Sequence, residues 1–364
     1  MATKGTVLVT GGSGHIGFPI VVEALKRGYN VRAVVRSQEK AERIKSAKSI
    51  QPHLSGLELM VVPDFFADRA FAEAITGVDY VIHVAAQIIK PWLDCSNPEV
   101  VHENWIRPNV DMTLAILRAA QTQPTIKRVI LTSSAGAILP ALWDDPTLEE
   151  IRAKLPATPT TADSKPPRRS ELGPFANPSD AYNVSKQLAR ERVERFIAED
   201  NPHFQIIQIM PSLTFGPMEL ATDPQEYLVS ANVCILAPLL DMQQPFVFPG
   251  ITCHLNDVVD VHVAALDVEG LDGHQNFAVN WDHEADVQYD DAKDLVRKWF
   301  PEAVEKGILP CKGATTTFKC PIDARRTEEM FGIKFKGFEE MVRYGVEGFL
   351  DSVRQQQESQ NGTA

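Results

Sequence analysis

Tyr182 and Lys186 stand four residues apart in the run Tyr182-Asn183-Val184-Ser185-Lys186. On a helix that spacing puts both side chains on one face. A phenol ordinarily holds its proton to about pH 10, and an ammonium beside it favours the phenolate. The pair can therefore exchange a proton with a substrate oxygen. Ser133 and Ser134 add hydroxyls of the right kind. They follow the apolar run Arg128–Thr132, where a strand is expected to end. A serine there can hold a carbonyl oxygen while Tyr182 protonates it. Ser134 is the preferred catalytic hydroxyl and Ser133 its alternate.

The N-terminal stretch Val7-Leu8-Val9-Thr10-Gly11-Gly12-Ser13-Gly14-His15-Ile16-Gly17 supplies a place for a dinucleotide. An apolar run enters a glycine-rich turn, and a helical pattern (Ile20, Val21, Ala24, Leu25) leaves it. In a strand–turn–helix unit Gly11 permits the tight turn. Gly14 lets backbone approach a pyrophosphate, and Gly17 lets the helix pack close to the sheet. The free N–H groups around Ser13, His15 and Ile16 then face the phosphates.

The end of the second strand selects the cofactor. A carboxylate there would take the ribose 2′-hydroxyl of NAD. The sequence instead has Arg32, Arg36 and Lys40 in that region. Arg36, with Lys40, suits a 2′-phosphate, so the expected cofactor is NADPH (NADP+). Asp64 and Phe65, at the next strand end, are placed to bracket the adenine. Ala85, Ala86 and Pro211 close later strands on the same rim, and Tyr182 and Lys186 complete the cofactor-binding set.

These residues need a frame to hold them. The first half alternates strands (30–35, 57–62, 80–84, 128–132, 205–210) with helical patterns (38–48, 69–75, 109–121, 181–198). Regular βα alternation implies a doubly wound parallel sheet with helices on both faces, an α/β Rossmann fold. Residues 140–178 break the pattern with prolines, threonines and charge. A connection of that length is expected to be a functional lid or mobile loop. Beyond Phe215 the alternation loosens. The division expected is a dinucleotide-binding domain over 1–215, a smaller α/β substrate lobe over 216–354, and a polar, disordered tail over 355–364. Asp257 is expected to cap a helix over 258–268.

Composition narrows the function classes. A net charge of −12 over 364 residues argues against a nucleic-acid partner. No apolar run is long enough to span a bilayer, and no signal sequence opens the chain. Five scattered cysteines form no metal spacing and read as reduced thiols. The expectation is a cytoplasmic enzyme without a metal, acting on a small molecule.

Three motif groups together carry a family resemblance. They are Thr10-Gly11-x-x-Gly14-x-x-Gly17, the Ser134/Tyr182/Lys186 set, and Asp79-Tyr80-Val81-Ile82-His83-Val84-Ala85. With them the chain resembles the extended short-chain dehydrogenases/reductases. It looks most like the dihydroflavonol-reductase-like group, which includes fungal and yeast aldehyde and ketone reductases. Lys127–Ala135, Arg36 and Asp257–His262 fit as well, and the match runs over roughly residues 5–350. The resemblance implies NADPH-dependent reduction of a ketone or aldehyde. The Ser, Tyr and Lys roles fall on Ser134, Tyr182 and Lys186.

The sequence also departs from relatives in that group. Leu139 stands where plant flavonoid enzymes carry an asparagine for substrate hydroxyls. Asp111-Met112-Thr113 replaces the usual Gly-Thr, and Pro211-Ser212 the usual Pro-Gly. The expected substrate wall is apolar, drawn from Ile88, Leu139, Leu213, Phe215 and Tyr227, with the carbonyl compound entering between domain and lobe.

Two rival readings remain open. One is an NAD-dependent epimerase, dehydratase or dehydrogenase of a sugar nucleotide or 3-hydroxy compound. Arg36 and the absence of an acid pair at Ser133-Ser134 weigh against it. The other is a non-catalytic dinucleotide sensor, against which the Tyr/Lys pair weighs.

Overall fold

The structure is a computed structural model. It describes residues 3–67, 69–87, 93–140, 148–244 and 246–362, without the side chains of 152–154, 361 and 362. The chain divides into two compact units. The first comprises 1–146, 162–210 and 259–278, and the second 147–161, 211–258 and 279–364. The sequence suggested a single break at 215. Instead the chain returns to the first unit at 259–278, which carries the last strand of its sheet.

The first unit is built on a seven-stranded parallel sheet with flanking helices. Its strands are β1 (Thr6–Thr10), β2 (Asn30–Val35), β3 (Leu57–Val61), β4 (Tyr80–His83), β5 (Arg128–Thr132), β6 (Gln205–Pro211) and β7 (Gln275–Val279). Their order is β7-β6-β5-β4-β1-β2-β3. The order reverses beside β1, and ligands of open α/β sheets bind at such a switch point, outside the carboxyl ends of the strands. β1 pairs in register with β2 (Val9 opposite Ala33) and with β4 (Val9 opposite Ile82). Val7, Leu8 and Val9 are buried on both faces, as a central parallel strand covered by helices requires.

Helix α1 (Gly17–Lys26) buries Phe18, Ile20, Val21, Ala24 and Leu25. Helix α2 (Gln38–Ser46) is capped by Ser37, whose hydroxyl accepts from Lys40 N–H at 3.3 Å. Helix α3 (Arg107–Gln121) buries Met112, Ile116, Leu117 and Ala120. A single π-turn, His102–Ile106, leads into it. Helix α4 (Pro178–Asp200) starts on the Asn177 cap, with Pro178 at its first turn.

Several local expectations fail. Residues 70–77 form turns and no helix, and Arg69 stands at φ +56°. Phe71, Ala74 and Ile75 are nevertheless buried, so the periodicity reported burial and not helix. The expected disordered tail continues the helix Phe338–Gly362. Its Gln and Glu residues are good helix formers. Asp257 lies inside the helix Leu255–Ala264, not at its cap.

The second unit packs around Phe215, Tyr227, Tyr289, Met341, Val342 and Phe349. Short parallel pairs join Leu213–Phe215 to Thr252–His254, and Phe248–Pro249 to Thr317–Phe318. A third joins Thr160–Thr161, from the long connection, to Ile322–Asp323. Part of that connection is therefore tied down by a ladder, whereas the sequence suggested a lid. The helix Leu148–Lys154 lies in the same stretch.

Candidate active site

The turn after β1 is shaped by close approach. Gly11 adopts φ +73°, and a Cβ there would stand 2.7 Å from Ala85 N. A Cβ on Gly17 would stand 2.1 Å from the Gly11 carbonyl oxygen. Neither position accommodates a side chain. Gly14 differs: only Gly11 O, at 3.3 Å, would meet its Cβ. The protein itself asks less of that position. Exposed Gly14 leaves room for something else to lie against the backbone, which fits a pyrophosphate. Ser13, His15 and Ile16 are half-buried around it.

Residues at the other strand ends reach the rim differently. Ala85 and Ala86 follow β4, half-buried, and Asn109 holds the next residue in place. Its Oδ1 accepts from Gln87 N–H at 2.7 Å, and its Nδ2 donates to Gln87 O at 3.3 Å. The sequence did not single out Asn109. Its one signal is an amide on the otherwise apolar face of α3.

Arg36 is exposed just beyond β2, and Lys40 is half-buried in the first turn of α2. Arg32 is committed elsewhere. It pairs with Glu58 at 2.7 Å and donates to the carbonyls of Ala74 and Thr76. Of the expected adenine bracket, Asp64 is exposed, and its carboxylate takes Phe66 N–H at 2.8 Å. Phe65 is a correction. It is 5% exposed and packs on Phe71, with ring centroids 5.3 Å apart, so its ring belongs to the core. Pro211 closes β6 and is buried.

Tyr182 and Lys186 share one face of α4, with Lys186 Nζ 5.4 Å from the Tyr182 ring centroid. Lys186 is 7% exposed and Tyr182 half-buried. The first turn of α4 is fixed by Asp180, which is fully buried. Its carboxylate pairs with Arg169 and accepts from Ala176 N–H at 3.0 Å. Arg169 comes from the long connection, so that segment clamps the helix two residues before Tyr182.

Ser134 follows β5, and its Oγ accepts from Gly136 N–H at 3.1 Å, starting a short 3-10 turn, Ala135–Ala137. This turn lies against α4. A Cβ on Gly136 would stand 2.3 Å from Asn183 Oδ1, and Gln187 Nε2 donates to Leu139 O at 3.0 Å. Ser133 instead lines a small cavity together with Lys186 and His83. Thr132, just before it, is held by buried His262, with Oγ1 and Nε2 2.9 Å apart. The sequence noted His262 only as part of a matching run.

The expected substrate wall is also corrected. Leu139, Phe215 and Tyr227 are each no more than 2% exposed. Phe215 meets Tyr289 edge-on, with ring centroids 5.8 Å apart. Tyr227 meets Phe349 at the same separation, and its hydroxyl accepts from Met218 N–H at 2.8 Å. All three are core. Leu213 is half-buried, and Ile88 lies outside the described residues. Among the described residues no helix is long and apolar enough to cross a membrane.

A parallel sheet with its order switch beside β1, a glycine cradle there and a Tyr/Lys helix define a dinucleotide-dependent class of Rossmann protein. Residues 7–277 match the NAD dependent epimerase/dehydratase family, and the chain belongs to it. The resemblance to extended short-chain dehydrogenases/reductases is borne out. The chain is 33% identical over 354 residues to ketoreductase CTB6 of Cercospora nicotianae, covering 95% of each chain. It is 29% identical over 362 residues to ketoreductase sphI of Aspergillus fumigatus, covering 95% of this chain and 97% of that one. Among solved structures it is similar to yeast methylglyoxal/isovaleraldehyde reductase Gre2 complexed with NADPH. The TM-score is 0.74 at 22% identity, over 96% of this chain and 99% of that one.

Proposed function

We propose that the protein reduces a ketone or aldehyde to an alcohol with NADPH, Tyr182 being the proton donor. The observation that carries this reading is the placement of Lys186 Nζ 5.4 Å from the Tyr182 ring, on a helix anchored by a buried acid. The ketoreductase names of CTB6 and sphI, and the NADPH of the Gre2 complex, support it.

The residues divide the work. The Gly11–Gly17 turn receives a pyrophosphate, with Gly14 as the side of closest approach. Arg36 and Lys40 meet a 2′-phosphate. When bound, NADPH supplies the hydride. The hydroxyl of Ser134 holds the carbonyl oxygen, with Ser133 as the alternate. Tyr182 gives its proton to that oxygen as negative charge develops there. Lys186 places a positive charge beside the phenol, which favours release of that proton. Positioned acid–base help of this kind contributes typically about 10² to 10⁴-fold in rate.

The test is oxidation of NADPH and of NADH against a panel of aldehydes, aryl ketones and β-keto esters, with Tyr182→Phe alongside. Consumption of NADPH in preference to NADH, lost in the variant, is the expected result. Binding of NADPH without consumption by any compound in the panel would count against reduction.

A further inference from the structure

His83 ends β4 and is 3% exposed, yet among the described residues only one of its ring nitrogens finds a partner. Nδ1 lies 2.8 Å from Thr10 Oγ1. Nε2 is buried and has no hydrogen-bond partner among the described residues. A buried polar atom left in this way carries a full desolvation cost. Such atoms are normally met by protein or by ordered water.

The surroundings supply a partner. His83 lines a cavity of about 20 Å³ together with Lys186, Asn109, Thr132, Ser133 and Gln208. One water needs roughly 10–15 Å³ and two to four polar neighbours, so the space has room for one. Lys186 is the other group in need. Its ammonium has three donors and no acceptor capacity, and no described residue accepts a hydrogen bond from it. Its charge also acts on His83 directly. After burial itself, the positive charge of Lys186 is what holds the imidazole well below its ordinary range, at about 3.

We propose that one internal water bridges Lys186 Nζ and His83 Nε2, making His83 a positioning residue for Lys186. The proposal rests on the reductase reading for its consequence, though not for the water itself. The chemistry fixes the tautomer. Lys186 only donates, so the water accepts from Nζ and donates to Nε2, which must carry a lone pair. The proton of the neutral ring then sits on Nδ1 and is donated to Thr10 Oγ1. Thr10 Oγ1 has two lone pairs, enough for that proton and for Ala85 N–H at 3.4 Å. The bridge thus runs from the residue that opens the glycine turn to the ammonium beside Tyr182. It holds Nζ at one position from behind while leaving its other protons free.

The two edges of the ring can be removed separately. His83→Asn keeps an amide near Nδ1 and deletes the Nε2 edge, whereas His83→Gln places an amide near Nε2. The expected result for His83→Asn is a kcat lower by about 10- to 100-fold, by analogy with the loss seen when the hydrogen-bond partner of a metal-bound side chain is removed. NADPH dissociation constant and Tm should stay close to wild type, and His83→Gln should restore most of kcat. Full activity in His83→Asn would overturn the proposal. So would equal losses in both variants accompanied by lower Tm, since that describes a structural histidine. A second arm needs no turnover. The side-chain ¹⁵N shifts of His83 in the wild-type protein should report Nδ1–H and a hydrogen-bonded, unprotonated Nε2, with the Nε2 resonance moving in Lys186→Met. A protonated Nε2, or one indifferent to Lys186, overturns the bridge. If the wild-type protein reduces no carbonyl compound, the reductase reading falls and the ¹⁵N arm decides the water site alone.

Discussion

A Cβ on Gly17 would stand 2.1 Å from the carbonyl oxygen of Gly11. The first turn of α1 and the end of β1 are therefore in backbone contact, and the cradle exists because both residues lack side chains. Gly17→Ala must push the helix off the sheet, at a cost of about 1–3 kcal/mol, the usual range for overpacking. Gly14→Ala meets one atom at 3.3 Å and leaves folding close to wild type. The two variants should separate in thermal unfolding while both weaken NADPH binding. A Gly17→Ala protein with unchanged Tm would show that the contact is softer than its geometry implies.

Tyr182→Phe removes one oxygen from a half-buried ring and leaves the apolar body of the side chain in place. Expected is a kcat lower by about 10² to 10⁴-fold, with Tm and the NADPH dissociation constant near those of the wild type. Steady-state kinetics beside a fluorescence titration of NADPH check both halves. Retained turnover would move the proton donor to another group.

Arg36 is exposed, and no described residue pairs with it. Arg36→Ala should therefore cost no fold stability. A hydrogen bond to a charged partner contributes about 1.5–3 kcal/mol, which corresponds to roughly 10- to 100-fold in affinity. The loss should appear for NADPH and not for NADH. An equal loss for both cofactors would mean that the guanidinium does not read the 2′-phosphate.

The glycine turn and the Tyr/Lys helix were legible because their signals are local. A turn of positive φ needs glycine, and an i, i+4 pair shares a helix face. Burial was harder to assign. Phe65, Phe215 and Tyr227 look like ligand walls in the sequence because an aromatic near the expected site reads alike whether it faces a ligand or the core. Only the packing of Phe65 on Phe71 and of Tyr227 on Phe349 separates the two cases. The pairing of Arg169 with Asp180 left no trace either. An ion pair across a proline-rich connection has no period. His83 was hidden for the opposite reason: it sits in an apolar run and passes for one more buried strand residue.

Acid should loosen both units. His83 is held down to about 3 by burial and then by the charge of Lys186. His254 is held down to about 4 by burial and then by Lys336, with Glu340 opposing. Both are neutral in the folded chain, and an unfolded chain takes up protons below about pH 6.5. Stability therefore falls as the pH drops from about 6.5 towards 4 and below. His254 Nδ1 accepts from Asn256 N–H at 3.1 Å, a bond that His254→Asn can replace. Urea unfolding at pH 7.5, 5.5 and 4.5 should show a smaller loss in that variant than in the wild type. Equal losses would assign the acid limb to other groups.

Asp257 is fully buried and takes both the backbone N–H of Lys336, at 2.8 Å, and its Nζ, at 2.5 Å. Burial raises its carboxyl above the usual range, while Lys336 opposes the rise. Lys336→Met leaves that carboxylate with one backbone donor and no counter-charge. Breaking one side of a buried pair costs about 3–5 kcal/mol, more than the intact pair contributes, because a lone charge remains inside. Asp257→Asn on the same background removes the charge and keeps an acceptor for Lys336 N–H. Part of the loss should therefore return in Lys336→Met/Asp257→Asn, as the rise in denaturation midpoint over the single variant. If the double variant is no more stable than Lys336→Met alone, the cost lies in packing around the lysine stem and not in the stranded carboxylate.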